Sequence, residues 1–313
     1  MKRRTIALSV ALVLVALVAV FDVETIFYFP NWRNAAQAEG APAQRGDREL
    51  SAAWARARLW DDGLAEVALY DARRPQYGKI ESYEAVFIVT KEDFNPQLNV
   101  KADPPYAGKQ LLPVLKFNAY HSYWTANYPY HFLLSAFVRR DDPSQLVKLT
   151  LGSQEWCGNT FKLVRPASAG RAQLVYHTYW DGEGDGTRAL EVRAGDLYED
   201  QLPVALRGLR FATGTEVRRR IVPSLIGNSA RGGLEPVEAV MRVTGEETLA
   251  TPAGRIAAWR VSVERTGLEQ TWWFEKAAPH MLVKMESSDG RAWTLKSRTR
   301  KAYWQEPTVR PEM

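Results

Sequence analysis

Residues 146–164, LVKLTLGSQEWCGNTFKLV, decide how the fold is read. Two runs of apolar and β-branched residues, alternating with polar ones, flank Ser153-Gln154-Glu155-Trp156-Cys157-Gly158. A period of two marks a strand with one buried face. Read as extended throughout, the segment presents Gln154, Trp156 and Gly158 on one face and Ser153, Glu155, Cys157 and Asn159 on the other. One face is then aromatic, and the other is polar and carries the chain's single thiol. The pair of faces is the first candidate for a functional surface.

Working outward, the same pattern recurs. Residues 64–71 and 84–90 read as strands joined by the turn Pro75-Gln76-Tyr77-Gly78, and 112–118, 133–139 and 172–180 follow. A glycine-rich turn covers 181–186. After it come 216–226, 237–250, 255–265, 269–274, 281–287 and 292–303, separated by Pro- and Gly-containing turns. Short strands punctuated at roughly 8–12 residues predict an antiparallel meander. The fold class is mainly β: a barrel-like or two-sheet curved structure. One main-domain helix is expected from Asp196, with Glu199 three positions on and Leu202, Leu206 and Leu209 along one face. Pro203 is an interior defect in that helix, which therefore kinks or starts later. Residues 95–110 hold Pro96, Pro104, Pro105 and Gly108 and read as a long loop.

The 313-residue chain is ordinary in its hydrophobic (46%) and charged (25%) fractions, so a sizeable core is available. Eleven Trp and thirteen Tyr are many, and both types favour strands and pocket walls. The net charge of +5 is modest with both signs interspersed, which argues against a nucleic-acid partner. Arg218-Arg219-Arg220 reads as one strand's solvent face. A single Cys excludes an intramolecular disulfide and a Cys-rich metal centre. The histidines are scattered without a zinc-binding spacing, so neither metal nor cofactor is expected.

Lys2-Arg3-Arg4 precedes an uncharged apolar run over residues 5–21, the pattern of an export signal. No small-x-small cleavage site follows it directly, and the aromatic cluster at residues 26–32 suits a membrane interface. The expectation is a retained N-terminal membrane anchor helix with the bulk of the chain in the periplasm; the alternative is secretion after cleavage near Ala38. The organisation is then 1–33 signal anchor or signal peptide, 34–59 tether and short helix, 60–304 β-rich envelope domain with a subdivision near residue 211 left open, and 305–313 tail.

The SQEWCG core, Tyr77-Gly78, the VTKEDF string at 89–94, Val114-Leu115-Lys116, Tyr128-Pro129-Tyr130 and the Glu183–Gly186 turn together resemble an exported bacterial β-rich family of unknown function. The resemblance spans roughly residues 60–304 and implies an envelope location without implying a reaction. Some members carry a septum-formation-inhibitor label. It finds no support here, because the Maf-type phosphate-binding pattern is missing from this chain.

Two chemistries compete. In the first, an aromatic-lined β cavity binds an apolar or amphipathic ligand (lipid, glycan or peptide) or an envelope partner, with Gln154, Trp156, Tyr130, Trp124 and Trp180 as candidate contacts. In the second, Cys157 is a nucleophile with His131 or His121 as base and Glu155 as orienting group. A purely structural or assembly scaffold is the remaining reading.

Overall fold

The computed structural model describes residues 50–166, 170–230 and 233–305, all within the compact unit Pro42–Met313. The anchor predicted at 5–21, most of the tether and the C-terminal tail lie outside the described residues. Among those described, no helix is long and apolar enough to cross a membrane.

Sixteen strands form one sheet among the described residues. They are β1 (Ala65–Gln76), β2 (Lys79–Asn95), β3 (Val100–Lys101), β4 (Leu112–Trp124), β5 (Pro129–Arg139), β6 (Leu146–Glu155), β7 (Gly158–Pro166) and β8 (Ala172–His177). There follow β9 (Asp185–Leu190), β10 (Leu197–Tyr198), β11 (Glu216–Val222), β12 (Val237–Thr251), β13 (Gly254–Arg265), β14 (Leu268–Glu275), β15 (Leu282–Ser287) and β16 (Ala292–Lys301). Neighbours in the sheet run β10 to β16 in sequence, then β1, β2, β4 and on to β9, with β3 beside β2. The chain's two halves are thus joined where β1 pairs antiparallel with β16, from Ala65 opposite Lys301 to Arg73 opposite Ala292. All pairs are antiparallel except the short β10–β11 pair. The meander is as predicted, and it is one sheet.

Alternation decides which side faces inward. Ala68, Tyr70 and Ala72 of β1, Ala85, Phe87 and Val89 of β2, Leu115, Phe117 and Ala119 of β4 and Trp272 and Phe274 of β14 share one continuous core. That core wraps from β1 to β16, so the sheet curls around its own apolar face. The sheet's ends, β9 and β10, are not paired to each other. Side chains tie the two halves of the sheet together elsewhere. Gln201 donates through Nε2 to the carbonyl of Ser144 at 2.9 Å. Lys162 of β7 donates to the carbonyls of Leu225 and Gly227 at 2.9 and 2.8 Å.

Three differences from the sequence reading bear on the site. The helix expected from Asp196 begins later: Leu197–Tyr198 is strand, and helical turns run from Glu199 to Gly208 around the short α-helix Leu202–Ala205. Pro203 stands in the first turn of that helix, where its missing N–H costs nothing. The strand expected over 216–226 stops at Val222, because Pro223 cannot donate to the ladder. Residues 223–230 then run as a strap against β6 and β7. Finally, Gln154 to Gly158 are not one extended run: β6 ends at Glu155, β7 starts at Gly158 opposite it, and Trp156-Cys157 form a two-residue turn.

A candidate ligand cavity beneath an aromatic rim

The turn changes what the SQEWCG segment presents. Trp156 and Cys157 sit at the hairpin tip and do not look to opposite faces of a strand. Trp156 is 73% exposed, and Cys157 is exposed with its thiol donating to the Tyr128 hydroxyl at 2.9 Å. Gly158 is needed next to this tip because an added Cβ would run into the Tyr179 ring.

Around the tip the structure gathers Trp124, Tyr128, Trp156 and Tyr130. Trp124, 52% exposed, meets Trp156 edge-on at 6.1 Å between ring centroids. Tyr128 stacks on Trp156 at 6.3 Å and on Tyr130 at 5.6 Å. Tyr130 is buried, pairs across the ladders with Tyr123 and Glu155, and shares a hydrogen bond with Tyr77. Glu155 accepts a hydrogen bond from Asn228 of the strap, whose Oδ1 accepts from Ser153 at 2.7 Å. Three of the five predicted contacts, Trp124, Trp156 and Tyr130, therefore come together.

The others stand apart. Gln154 is exposed and opposite His131 on β5. Trp180 lies beyond β8 in the turn toward β9, 40% exposed. The two candidate bases are separated by the sheet itself. His131 shares the outer face with Ser122, which it meets at 2.9 Å. His121 pairs with Phe132 and points inward. Among the described residues no group of three metal-ligating side chains converges.

Tyr123 stacks under Tyr130 at 5.6 Å, and Tyr83 lies 5.1 Å from Tyr123, so the aromatic column continues inward. It opens into a cavity of about 300 Å³. Phe87, Phe117, Leu134, Trp272 and Trp293 supply the apolar lining. Strands β2, β4, β5, β14 and β16 place these side chains, with Arg74 and Pro75 of β1 beside them, so the cavity lies across the β1–β16 seam.

Its polar lining falls into two groups. Glu199 accepts from Arg265 at 3.0 Å, from Arg291 at 2.7 Å and from Gln270 at 3.0 Å. Burial works against the Glu199 charge, but Arg291 and Arg265 outweigh it and hold the carboxyl below its usual range. Asp200 accepts from Ser224 at 2.5 Å and from the Leu225 amide at 2.7 Å; burial still pushes it up to about 6. The second group is Arg74, Tyr83 and His121. His121 is 2% exposed and meets the Tyr83 hydroxyl through Nδ1 at 2.9 Å. Burial, with the Arg74 and Arg291 charges, lowers its pKa to about 3. Arg74 lies over the rings of Tyr123 and Phe132, 5.5 and 5.0 Å from their centroids.

Sequence reasoning missed Arg74, Tyr83, Glu199 and Asp200 as cavity residues. A signal existed for the first: Arg74 continues the inward phase of Ala68, Tyr70 and Ala72, so period-two reading of β1 points a guanidinium into the core. Glu199 and Asp200 carried no such signal, because a helical turn brings them in.

No family model matches the chain, and no curated protein matches it. Two solved structures are similar. A β-barrel-like protein of a domain of unknown function (DUF1849) from Brucella abortus aligns over 76% of this chain and 98% of its own at 7% identity and a TM-score of 0.44. A protein with a YmcC-like fold from Bacteroides fragilis aligns over 75% of this chain and 95% of its own at 12% identity and a TM-score of 0.24. Both scores lie below 0.5, so neither assigns a role.

Proposed function

We propose that this protein is a binding module of the bacterial envelope that holds an apolar or amphipathic ligand inside its curled sheet. The single observation behind the reading is the cavity of about 300 Å³ with Phe87, Phe117, Trp272 and Trp293 in its wall. That is the lower end of the volume range of small-molecule sites, which are concave and mostly apolar with a few polar groups. The rim above it, where Trp124 and Trp156 are exposed and Tyr128 is half-buried, offers a landing surface for the same kind of ligand. Tethering to the inner membrane through residues 5–21 belongs to the proposal and rests on the sequence.

The reading is tested with the neutral apolar dye N-phenyl-1-naphthylamine. Saturable fluorescence enhancement by the wild type, lost in Ala119→Phe, is expected, because Ala119 lines the cavity and a phenyl ring there fills it. Thermal unfolding of the variant controls for overpacking. Dye binding that Ala119→Phe leaves unchanged overturns the reading.

A further inference from the structure

Three arginines line the cavity, and they are not equivalent. Arg265 and Arg291 are both bound to Glu199, and Arg291 also to Asp289 at 2.7 Å. The remaining acid, Asp200, is held by Ser224 and the Leu225 amide. Arg74 has none of these partners. Its Nε is buried and makes no hydrogen bond, and its contacts are the faces of Tyr123 and Phe132. Glu81, opposite it in the β1–β2 register, does not close an ion pair with it. A partly desolvated guanidinium without a counter-ion is costly, and its five N–H donors match a planar or tetrahedral anion.

His121 adds a second observation. Its Nδ1 meets the Tyr83 hydroxyl at 2.9 Å. That leaves Nε2 as the other polar atom of the imidazole. That atom is buried and has no hydrogen-bond partner. An unpartnered imidazole nitrogen and a guanidinium without a counter-ion thus stand on the lining of one aromatic cavity.

We infer that the ligand is an amphiphile with an anionic head group, which Arg74 binds while the aromatic wall takes the apolar body. The inference rests on the cavity reading above. It names the ligand's charge, and the neutral dye reports on the cavity separately.

The test is displacement of bound N-phenyl-1-naphthylamine by decanoate, decyl phosphate, decanol and decyltrimethylammonium, using wild type, Arg74→Gln and Arg74→Lys. In the wild type an anionic amphiphile should displace the dye at about tenfold lower concentration than decanol, the size of a charge-assisted hydrogen bond. Whether decanoate or decyl phosphate is preferred tells a carboxylate head from a phosphate. Arg74→Gln should erase the preference for the anion, so that decanoate, decyl phosphate and decanol displace the dye at similar concentrations; Arg74→Lys should keep part of it. Equal displacement by decanol and both anions overturns the inference, as does an anion preference that survives Arg74→Gln. If the dye binds and no anion displaces it, the head-group assignment fails and the cavity stands. If the dye does not bind, both fail together.

Discussion

Glu66 and Arg207 stand 141 residues apart in sequence and meet as a buried two-point ion pair, at 2.7 and 3.1 Å. Glu66 belongs to β1, and Arg207 to the helical turns after the short α-helix Leu202–Ala205. Arg207 also donates to the Pro203 carbonyl at 3.0 Å and lies 5.3 Å from the centre of a Trp54 ring. The pair fixes the helical turns that carry Glu199 and Asp200 into the cavity.

Breaking that pair from one side leaves a buried charge without its partner. Arg207→Met or Glu66→Leu alone should cost about 3–5 kcal/mol in denaturant unfolding, and the double variant much less than their sum. Additive losses would show that the pair contributes nothing specific.

The hairpin tip makes a packing prediction. Gly158→Ala places a methyl group against the Tyr179 ring and should cost about 1–3 kcal/mol. Removing the ring as well, in Gly158→Ala with Tyr179→Ser, should recover the part of the loss that comes from the ring and leave the part that comes from the positive φ of residue 158. A neutral Gly158→Ala variant contradicts the close approach.

His121 and Asp200 make stability depend on pH with opposite signs. His121 has a folded pKa of about 3 against roughly 6.5 when unfolded. Below about pH 6.5 the unfolded chain takes up a proton that the folded chain refuses, so stability falls as pH drops toward 3. At pH 5 that loss is about 2 kcal/mol. Asp200, raised to about 6 from roughly 3.9 when unfolded, is protonated first in the folded state. Its contribution is present at low pH and fades as pH rises through that window. The His121→Gln variant should therefore lose less stability than wild type between pH 7 and pH 5, read as the difference between two unfolding curves. A parallel loss in both proteins would place His121 outside the buried interior.

Cys157, at the hairpin tip, should react with iodoacetamide in the native protein nearly as fast as in the denatured one, because it is exposed. Cys157→Ser should leave binding of N-phenyl-1-naphthylamine unchanged. Dye binding that fails in this variant would move the site from the cavity to the rim.

Much of the fold was legible from residue alternation. The hairpin of β1 and β2 turns at Tyr77-Gly78, and the six strands after Phe211 appear where Val, Ile, Trp and Phe alternate with polar residues. Period-two reading failed where a turn carries no breaker before it. Trp156-Cys157 has none, so the reading ran straight through a reversal that Gly158 alone announces. It failed again after Pro223, where Leu225 and Ile226 look like strand residues but serve the strap. The rim of the site was legible because its aromatics are close in sequence. The cavity was not, because Arg74, His121, Glu199 and Trp293 are brought together only when β1 pairs with β16 and the 199–208 turns fold in.

The most direct test is a crystal grown with 10-bromodecanoic acid, with bromine located by its anomalous signal. The account predicts the bromine among Phe117, Leu134 and Trp272, with the carboxylate within hydrogen-bond reach of Arg74. Bromine found only at the Trp124–Trp156 rim, or a cavity that stays empty at saturating probe, would contradict it.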